Sequence, residues 1–145
     1  MKVFLVFLAL CIVNVNFIVF QGDMSNYLHL QNLMKAAAEE CAAGAGLYYD
    51  EEAYGEGKMV ISEKHAEAYI DSVCENILSE SGLPAGSDLF WELMIHDDRT
   101  GREEGVRGPS VEVKLILDTE DLFRLSFLKV TRVVRSAKYE LADWG

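Results

Sequence analysis

The stretch Val3 to Phe20, VFLVFLALCIVNVNFIVF, carries no charge, and only Asn14 and Asn16 interrupt its apolar side chains. A helix of this length spans roughly 27 Å at about 1.5 Å per residue. That length is just adequate for the hydrocarbon core of a bilayer, which is about 30 Å thick. Residues 1–22 are therefore predicted to form a helix that crosses a membrane.

The same stretch also fits a removable signal peptide, which is the main alternative. We find no small-x-small cleavage pattern between Phe17 and Ser25, so retention as an anchor is favoured. Lys2 precedes the apolar run and Asp23 is the first charge after it. The positive-inside tendency then predicts an N-terminus in the cytoplasm and residues 23–145 outside the membrane.

Asn14 and Asn16 would be costly if they faced lipid without a hydrogen-bonding partner. Two interpretations remain open for them. A partner helix satisfies the amides, or the side chains bond locally to their own backbone or lie near an interface.

Helical periodicity continues past the polar residues Gln21-Gly22-Asp23. Apolar or small residues recur at spacings of three and four, which predicts an amphipathic helix over about 24–48, continuous with the anchor and capped by Ser25 or Asp23. The small side chains from Ala37 to Ala45 would let another backbone approach closely, either this chain's own sheet or neighbouring helices.

The rest of the chain predicts short elements. A strand is expected at 58–61 and a second helix from Ser62 to about Ser81. Alternating apolar residues then predict a hairpin of strands at 89–96 and 111–117, with Leu89, Trp91, Leu93 and Ile95 inward. A last strand at about 129–141 slips phase, which predicts a bulge near 132–135. The expected fold class is α+β: a long N-terminal helix packed on a small antiparallel sheet of three to four strands, plus a second helix.

Composition limits the classes of partner and chemistry. The formal net charge of −11 argues against nucleic acid or anionic lipid as a direct partner of the soluble part. No nucleophile, metalloprotease or nucleotide motif occurs, and the three histidines are isolated, so neither an enzyme nor a cofactor is predicted.

Two smaller groups of residues have competing interpretations. Asp97, Asp98, Glu103 and Glu104 lack the spacing of an EF-hand and lie among arginines, which favours a salt-bridged loop over a metal site. Cys41 and Cys74 both fall on the apolar stripes of predicted helices. A disulfide between them and two buried free thiols both remain open.

An apolar segment lies between the last two strands in DTEDLFRLSFLK. It packs under the sheet as a satellite core or forms an exposed contact patch. The candidate contact residues are Leu122, Phe123 and Phe127.

The order of these elements resembles the pilin and pseudopilin plan, and more specifically the TadE-type proteins of tight-adherence pilus systems. The resemblance is carried by LQNLMKAAAEECAAGAGLYYDEEAY (30–54) and by VEVKLILDTEDLFRLSFLKVTRVVRSAKYEL (111–141). It implies a structural component of a bacterial pilus or secretion-type apparatus, in the cell membrane or an extracellular filament. Its partners would be membrane lipid, like subunits and other pilus-assembly proteins. The competing hypothesis is a secreted or periplasmic binding module with a cleaved signal peptide.

Under this hypothesis one set of residues would mediate assembly through the helix. The candidates are Phe4, Phe7, Leu10, Asn14, Asn16, Phe17, Phe20, Ala37, Cys41 and Ala45.

Overall fold

The computed structural model of the chain describes residues 1–79, 82–101, 104–105 and 108–141. Its first element, α1, is a single helix of 45 residues over Lys2–Gly46. At 1.5 Å per residue this helix is about 67 Å long. The helix runs without interruption through Gln21, Gly22 and Asp23, so the predicted continuity with the anchor is confirmed. The expected cap at Asp23 or Ser25 is wrong, because no helix begins there.

Two shorter helices follow, α2 at Glu51–Gly55 and α3 at Glu63–Ser79. Asp50 caps α2, since its Oδ1 accepts the backbone N–H groups of Glu52 and Ala53 at 3.0 and 3.2 Å. The predicted continuation of α3 to Ser81 lies outside the described residues.

The short strand predicted at 58–61 is wrong. A single bridge joins Tyr49 to Ile61, and no ladder extends from it within the described residues. The reason lies in the hydrogen bonds, because the N–H of Met59 bonds to the carboxylate of Asp98 and that of Ile61 to the carboxylate of Asp97.

Three strands form one antiparallel sheet in the order β1-β2-β3. They are β1 at Asp88–His96, β2 at Ser110–Asp118 and β3 at Arg132–Glu140. The hairpin of β1 and β2 is confirmed, with Leu89, Trp91, Leu93 and Ile95 on the more buried face.

The bulge predicted near 132–135 is wrong. Pairing between β2 and β3 runs without a slip from Asp118 opposite Arg132 to Ser110 opposite Glu140. The inward position belongs to Val133, which is fully buried, while Val134 faces outward. Arg135 takes the next inward position and is half-buried. The long aliphatic part of its side chain can lie along apolar surface. Because a charged residue occupies this inward position, the alternation of apolar residues in the sequence looked shifted by one.

Both long helices cover one face of the sheet. α1 packs across β2 and β3, and α3 lies beside α1 and contacts β1. The core between these layers holds Met34, Ile70, Val111, Val113, Leu115, Leu117 and Val133. The fold is therefore α+β, as predicted, with a long N-terminal helix on a three-stranded antiparallel sheet.

Candidate functional site

The N-terminal part of α1, residues 3–18, extends beyond the domain with nothing packed on most of it, and we call it the bare segment. Phe4, Phe7, Leu10 and Phe17 are each 56 to 65% exposed. Among the described helices, α1 is the one long and apolar enough to cross a membrane, with a mean hydropathy of 2.8 in a window that is 0% buried. A helix with these properties is suited to a membrane anchor or to a signal sequence.

The two asparagines in this bare segment bond to their own helix. The Nδ2 atom of Asn14 donates to the carbonyl of Leu10, and that of Asn16 donates to the carbonyl of Ile12, each at 2.8 Å. Bonds to the carbonyl four residues earlier lower the cost of placing an amide in an apolar medium. Of the two interpretations left open by the sequence, local bonding is the one that the structure contains.

A group of side chains marks where the bare segment meets the domain, and we call it the collar: Phe20, Asp23 and Tyr27 of α1 with Phe123 and Arg124 of the β2–β3 loop. The ring of Phe123 lies 6.1 Å from that of Phe20 and 5.8 Å from that of Tyr27, measured between centroids. Both separations are typical of favourable aromatic pairs.

Asp23 and Arg124 close the collar with three bonds. The backbone N–H of Arg124 donates to Oδ2 of Asp23 at 3.1 Å, and its Nε donates to Oδ1 at 3.0 Å. The second guanidinium nitrogen lies 2.9 Å from Oδ1. The backbone bond and then the guanidinium bond hold the pKa of the Asp23 carboxyl below its ordinary value of 3.8, so this nearly buried group keeps its charge.

No pattern in the sequence predicts this ion pair directly, because its partners are 101 positions apart. One indirect signal exists. Asp23 is the first charge after the apolar run, and Arg124 is the one cation inside the apolar string LFRLSFL. A charge in each apolar setting needs a partner, and pairing the two would have predicted the contact.

The β2–β3 loop combines both of its predicted roles. Phe123 is buried in the collar and Leu122 is half-buried against the core. Phe127 instead is 82% exposed. The loop therefore supplies a satellite core at its base and an uncovered aromatic ring near its tip.

The small residues of α1 are covered by the chain itself. Ala37, Cys41 and Ala45 are buried in the core, where α1 meets α3 and the sheet. Of the two neighbours expected for these residues, the chain's own elements occupy the space, so a neighbouring subunit cannot reach them in this fold.

Cys41 and Cys74 are both buried and are free thiols, so the alternative without a disulfide is the one that the structure contains. A hydrogen bond with Cys74 and burial both raise the pKa of the Cys41 thiol. The thiol form is thereby favoured over the reactive thiolate.

In the acidic loop after β1, carboxylates accept hydrogen bonds from backbone N–H groups. Asp97 is fully buried and accepts N–H bonds from Ile61, Arg99 and Thr100, each at 2.9 Å. Within the described part of the chain, no three His, Cys, Asp or Glu side chains are grouped as metal ligands. Glu103 lies outside that part.

Comparison with protein-family models, with curated proteins and with solved structures finds no match for this chain.

Proposed function

We propose that this protein is a pilin-like structural component of a bacterial pilus or secretion-type apparatus, and that it assembles through the bare segment of α1. The observation that carries the proposal is the double use of one helix. Residues from Leu30 to Gly46 form the spine of the domain, and the same unbroken helix projects an uncovered apolar rod beyond it.

The free-energy cost of exposing the apolar side chains of the bare segment to water supports the need for a non-aqueous neighbour. Twelve large apolar side chains from Val3 to Ile18 are exposed. At about 1 kcal/mol for each half-covered side chain, leaving them in water costs on the order of 10 kcal/mol. This cost is comparable to the whole stability of a typical domain, which is about 5–15 kcal/mol. Lipid tails or the equivalent helices of sister subunits would remove it.

The collar supports retention of the bare segment over its removal. A cut near Gln21 would fall inside a regular helix and would separate Phe20 from the ring of Phe123. The domain's packing thus begins at Phe20, one residue before the cut that a secreted module would require.

The proposed partners follow from where the apolar surface lies. The bare segment meets lipid before assembly and like subunits after it, and the acidic domain faces outward. Side chains such as Phe4, Phe7 and Phe17 would contribute van der Waals packing between helices, which is the main attraction available inside a membrane.

Cys11 offers a direct test, because it lies in the bare segment, whereas Cys41 and Cys74 are buried. Membranes containing the full chain would be treated with a membrane-permeable bifunctional thiol reagent. We expect a crosslinked dimer, because each chain offers a single reachable thiol, and the matched variant Cys11→Ser should give none. A chain that stays monomeric at its natural abundance would contradict assembly through this segment.

The competing function is a secreted or periplasmic binding module, favoured only by the position of the apolar helix near the N-terminus. N-terminal sequencing of the native protein separates the two functions. A start near Gln21 would support secretion, and a start before Val3 would support the anchor.

A further inference from the structure

The β2–β3 loop extends the sheet toward the bare segment of α1. Its base is held by N–H bonds from Thr119 to the carbonyl of Thr131 at 2.8 Å and from Leu122 to the carbonyl of Val130 at 2.9 Å. Asp121 adds bonds from the N–H groups of Phe123 and Val130, each at 3.2 Å. The loop is therefore a narrow, hydrogen-bonded projection with a fixed direction.

The collar fixes the height of this projection along α1. Phe123 contacts Phe20 and Arg124 binds Asp23, and these two helix positions are about 4.5 Å apart along the axis. Phe20 is also the last residue of the apolar run. Phe123 and Arg124 therefore lie at the level where the apolar segment ends, and the loop tip, 125–128, follows them directly in the chain.

Bilayer dimensions place that level within the headgroup layer. The apolar run spans roughly 27 Å and the hydrocarbon core about 30 Å, so the run is slightly short. A short span is accommodated by local thinning or by drawing flanking residues inward. The headgroup layer is about 5–8 Å thick on each side, which is enough to include the roughly 4.5 Å of helix between Phe20 and Asp23.

Phe127 is a large apolar side chain at this tip that the domain leaves uncovered. Its 82% exposure exceeds that of every other exposed large hydrophobic residue after Val3 in the described chain. The turn that presents it is closed by a bond from the N–H of Leu128 to the carbonyl of Leu125 at 3.1 Å. Aromatic rings are enriched at the boundary between headgroups and acyl chains.

Local charge permits this contact although the whole chain is acidic. Asp23 is neutralised by Arg124, and the Asp121 carboxylate is occupied by backbone N–H groups. Lys129, on the exposed side of the tip, adds a positive charge. The two charged residues within 122–129, Arg124 and Lys129, are thus both positive, while Glu120 and Asp121 lie at the base of the loop.

We propose that the tip of the β2–β3 loop is a second membrane contact, in which Phe127 inserts at the boundary between headgroups and acyl chains of the bilayer that α1 crosses. This inference rests on the proposed membrane-crossing role of α1. Together with α1 it gives the domain two points of attachment and so fixes its rotation about the helix axis.

The test uses the full chain in lipid nanodiscs of zwitterionic phosphatidylcholine, prepared with and without bromine on the acyl chains. Phe127→Trp places a fluorescent probe at the tip. The matched control is Tyr54→Trp, which replaces another exposed aromatic residue, 60% exposed and in α2 beyond the far end of α1. Wild-type emission is subtracted from that of each variant.

We expect the emission added by Phe127→Trp to be blue-shifted and mostly lost with brominated lipid, while that of Tyr54→Trp is unaffected. Unquenched emission at position 127 in loaded nanodiscs would overturn the inference and leave the proposed function standing. Blue-shifted but unquenched emission would mean a protein cover and would also overturn it. Quenching at both positions would overturn it too, since the domain would then lie flat on the membrane. A chain that fails to enter nanodiscs would overturn the inference and the membrane role together.

Discussion

Gly44 is the position where α1 and α3 approach each other most closely among the glycines described. A Cβ placed on Gly44 would overlap the ring of Tyr69 at three atoms, Cε1, Cζ and Oη. Tyr69 in turn packs against Tyr48, with 5.7 Å between ring centroids. The substitution Gly44→Ala therefore tests whether small residues on α1 are required for the approach of α3.

Two effects of Gly44→Ala oppose each other. Alanine in a helix gains roughly 0.5–1 kcal/mol over glycine. Overpacking costs about 1–3 kcal/mol, and the upper part of this range applies because the whole ring of Tyr69 must move. We expect the free energy of unfolding to fall by about 1–2 kcal/mol, which corresponds to a fall in Tm of about 3–10 °C for a domain of this size.

The assay is thermal unfolding of the full chain in a mild detergent, followed by near-ultraviolet circular dichroism of the packed aromatic side chains. Gly55→Ala is the matched control, because Gly55 is also helical and nothing lies within 4 Å of its added Cβ. This control should leave the Tm unchanged or raise it slightly.

A second background separates overlap from other effects of the substitution. In a chain that already carries Tyr69→Ala, the substitution Gly44→Ala should stabilise the fold by roughly 0.5–1 kcal/mol. The overlap with the ring is then absent, and only the higher helix propensity of alanine acts. If Gly44→Ala raises the Tm in the wild-type background, or lowers it equally in both backgrounds, the close approach of α1 and α3 is refuted.

The remaining predictions concern the loops and the core. Asp97→Asn should destabilise the domain by about 1–3 kcal/mol at pH 7, measured by chemical unfolding, because charged hydrogen bonds to the backbone are weakened. Burial raises the pKa of Asp97, but bonds from the N–H groups of Ile61, Thr100 and Arg99 lower it by more, so the net pKa lies below 3.8. The stability from this group is thus fully present above its unfolded pKa and is lost as the pH falls through its lowered folded pKa. Asp97→Asn should therefore make the free energy of unfolding fall less steeply in acid. An unchanged dependence of the free energy of unfolding on pH would contradict this role. Phe123→Ala should cost about 2–3 kcal/mol by removing the collar's aromatic contacts, whereas Phe127→Ala should leave the Tm of the detergent-solubilised chain within about 1 °C; equal losses would contradict the division of the loop. Cys41 and Cys74 should react with a water-soluble thiol reagent only after unfolding, and fast labelling of the native chain would contradict their burial.

Patterns with a short period gave the elements of the fold. Alternation in LFWELMIH and VEVKLIL predicted β1, β2 and the face that each buries, because a strand half-covered by helices repeats every two residues. Spacings of three and four predicted the buried stripe of α1 through Met34, Ala38 and Cys41.

Errors arose where side chains overrode the local pattern. Segment 58–61 has the composition of a strand, but carboxylates of the next loop take its N–H groups. Arg135 lies at an inward position, so an unbroken strand looked shifted. The expected cap at Asp23 or Ser25 was wrong because α1 stays helical through Gly22, although glycine weakens a helix by roughly 1 kcal/mol.

The candidate site was predictable only in part. Its apolar segment is evident from composition, since 18 uncharged residues stand together. The collar depends on a contact between Asp23 and Arg124 that no periodicity encodes. It also depends on the division of one apolar loop into a buried Phe123 and an exposed Phe127, which only the three-dimensional packing determines.

The intact mass of the native protein, extracted from the membrane fraction of its own cells, tests the anchoring role of α1 most directly. We predict a mass that includes Val3–Phe20, still joined to the domain, and recovery only with detergent or as filaments. A mature chain that begins after Phe20 and is recovered from the soluble fraction would contradict this role.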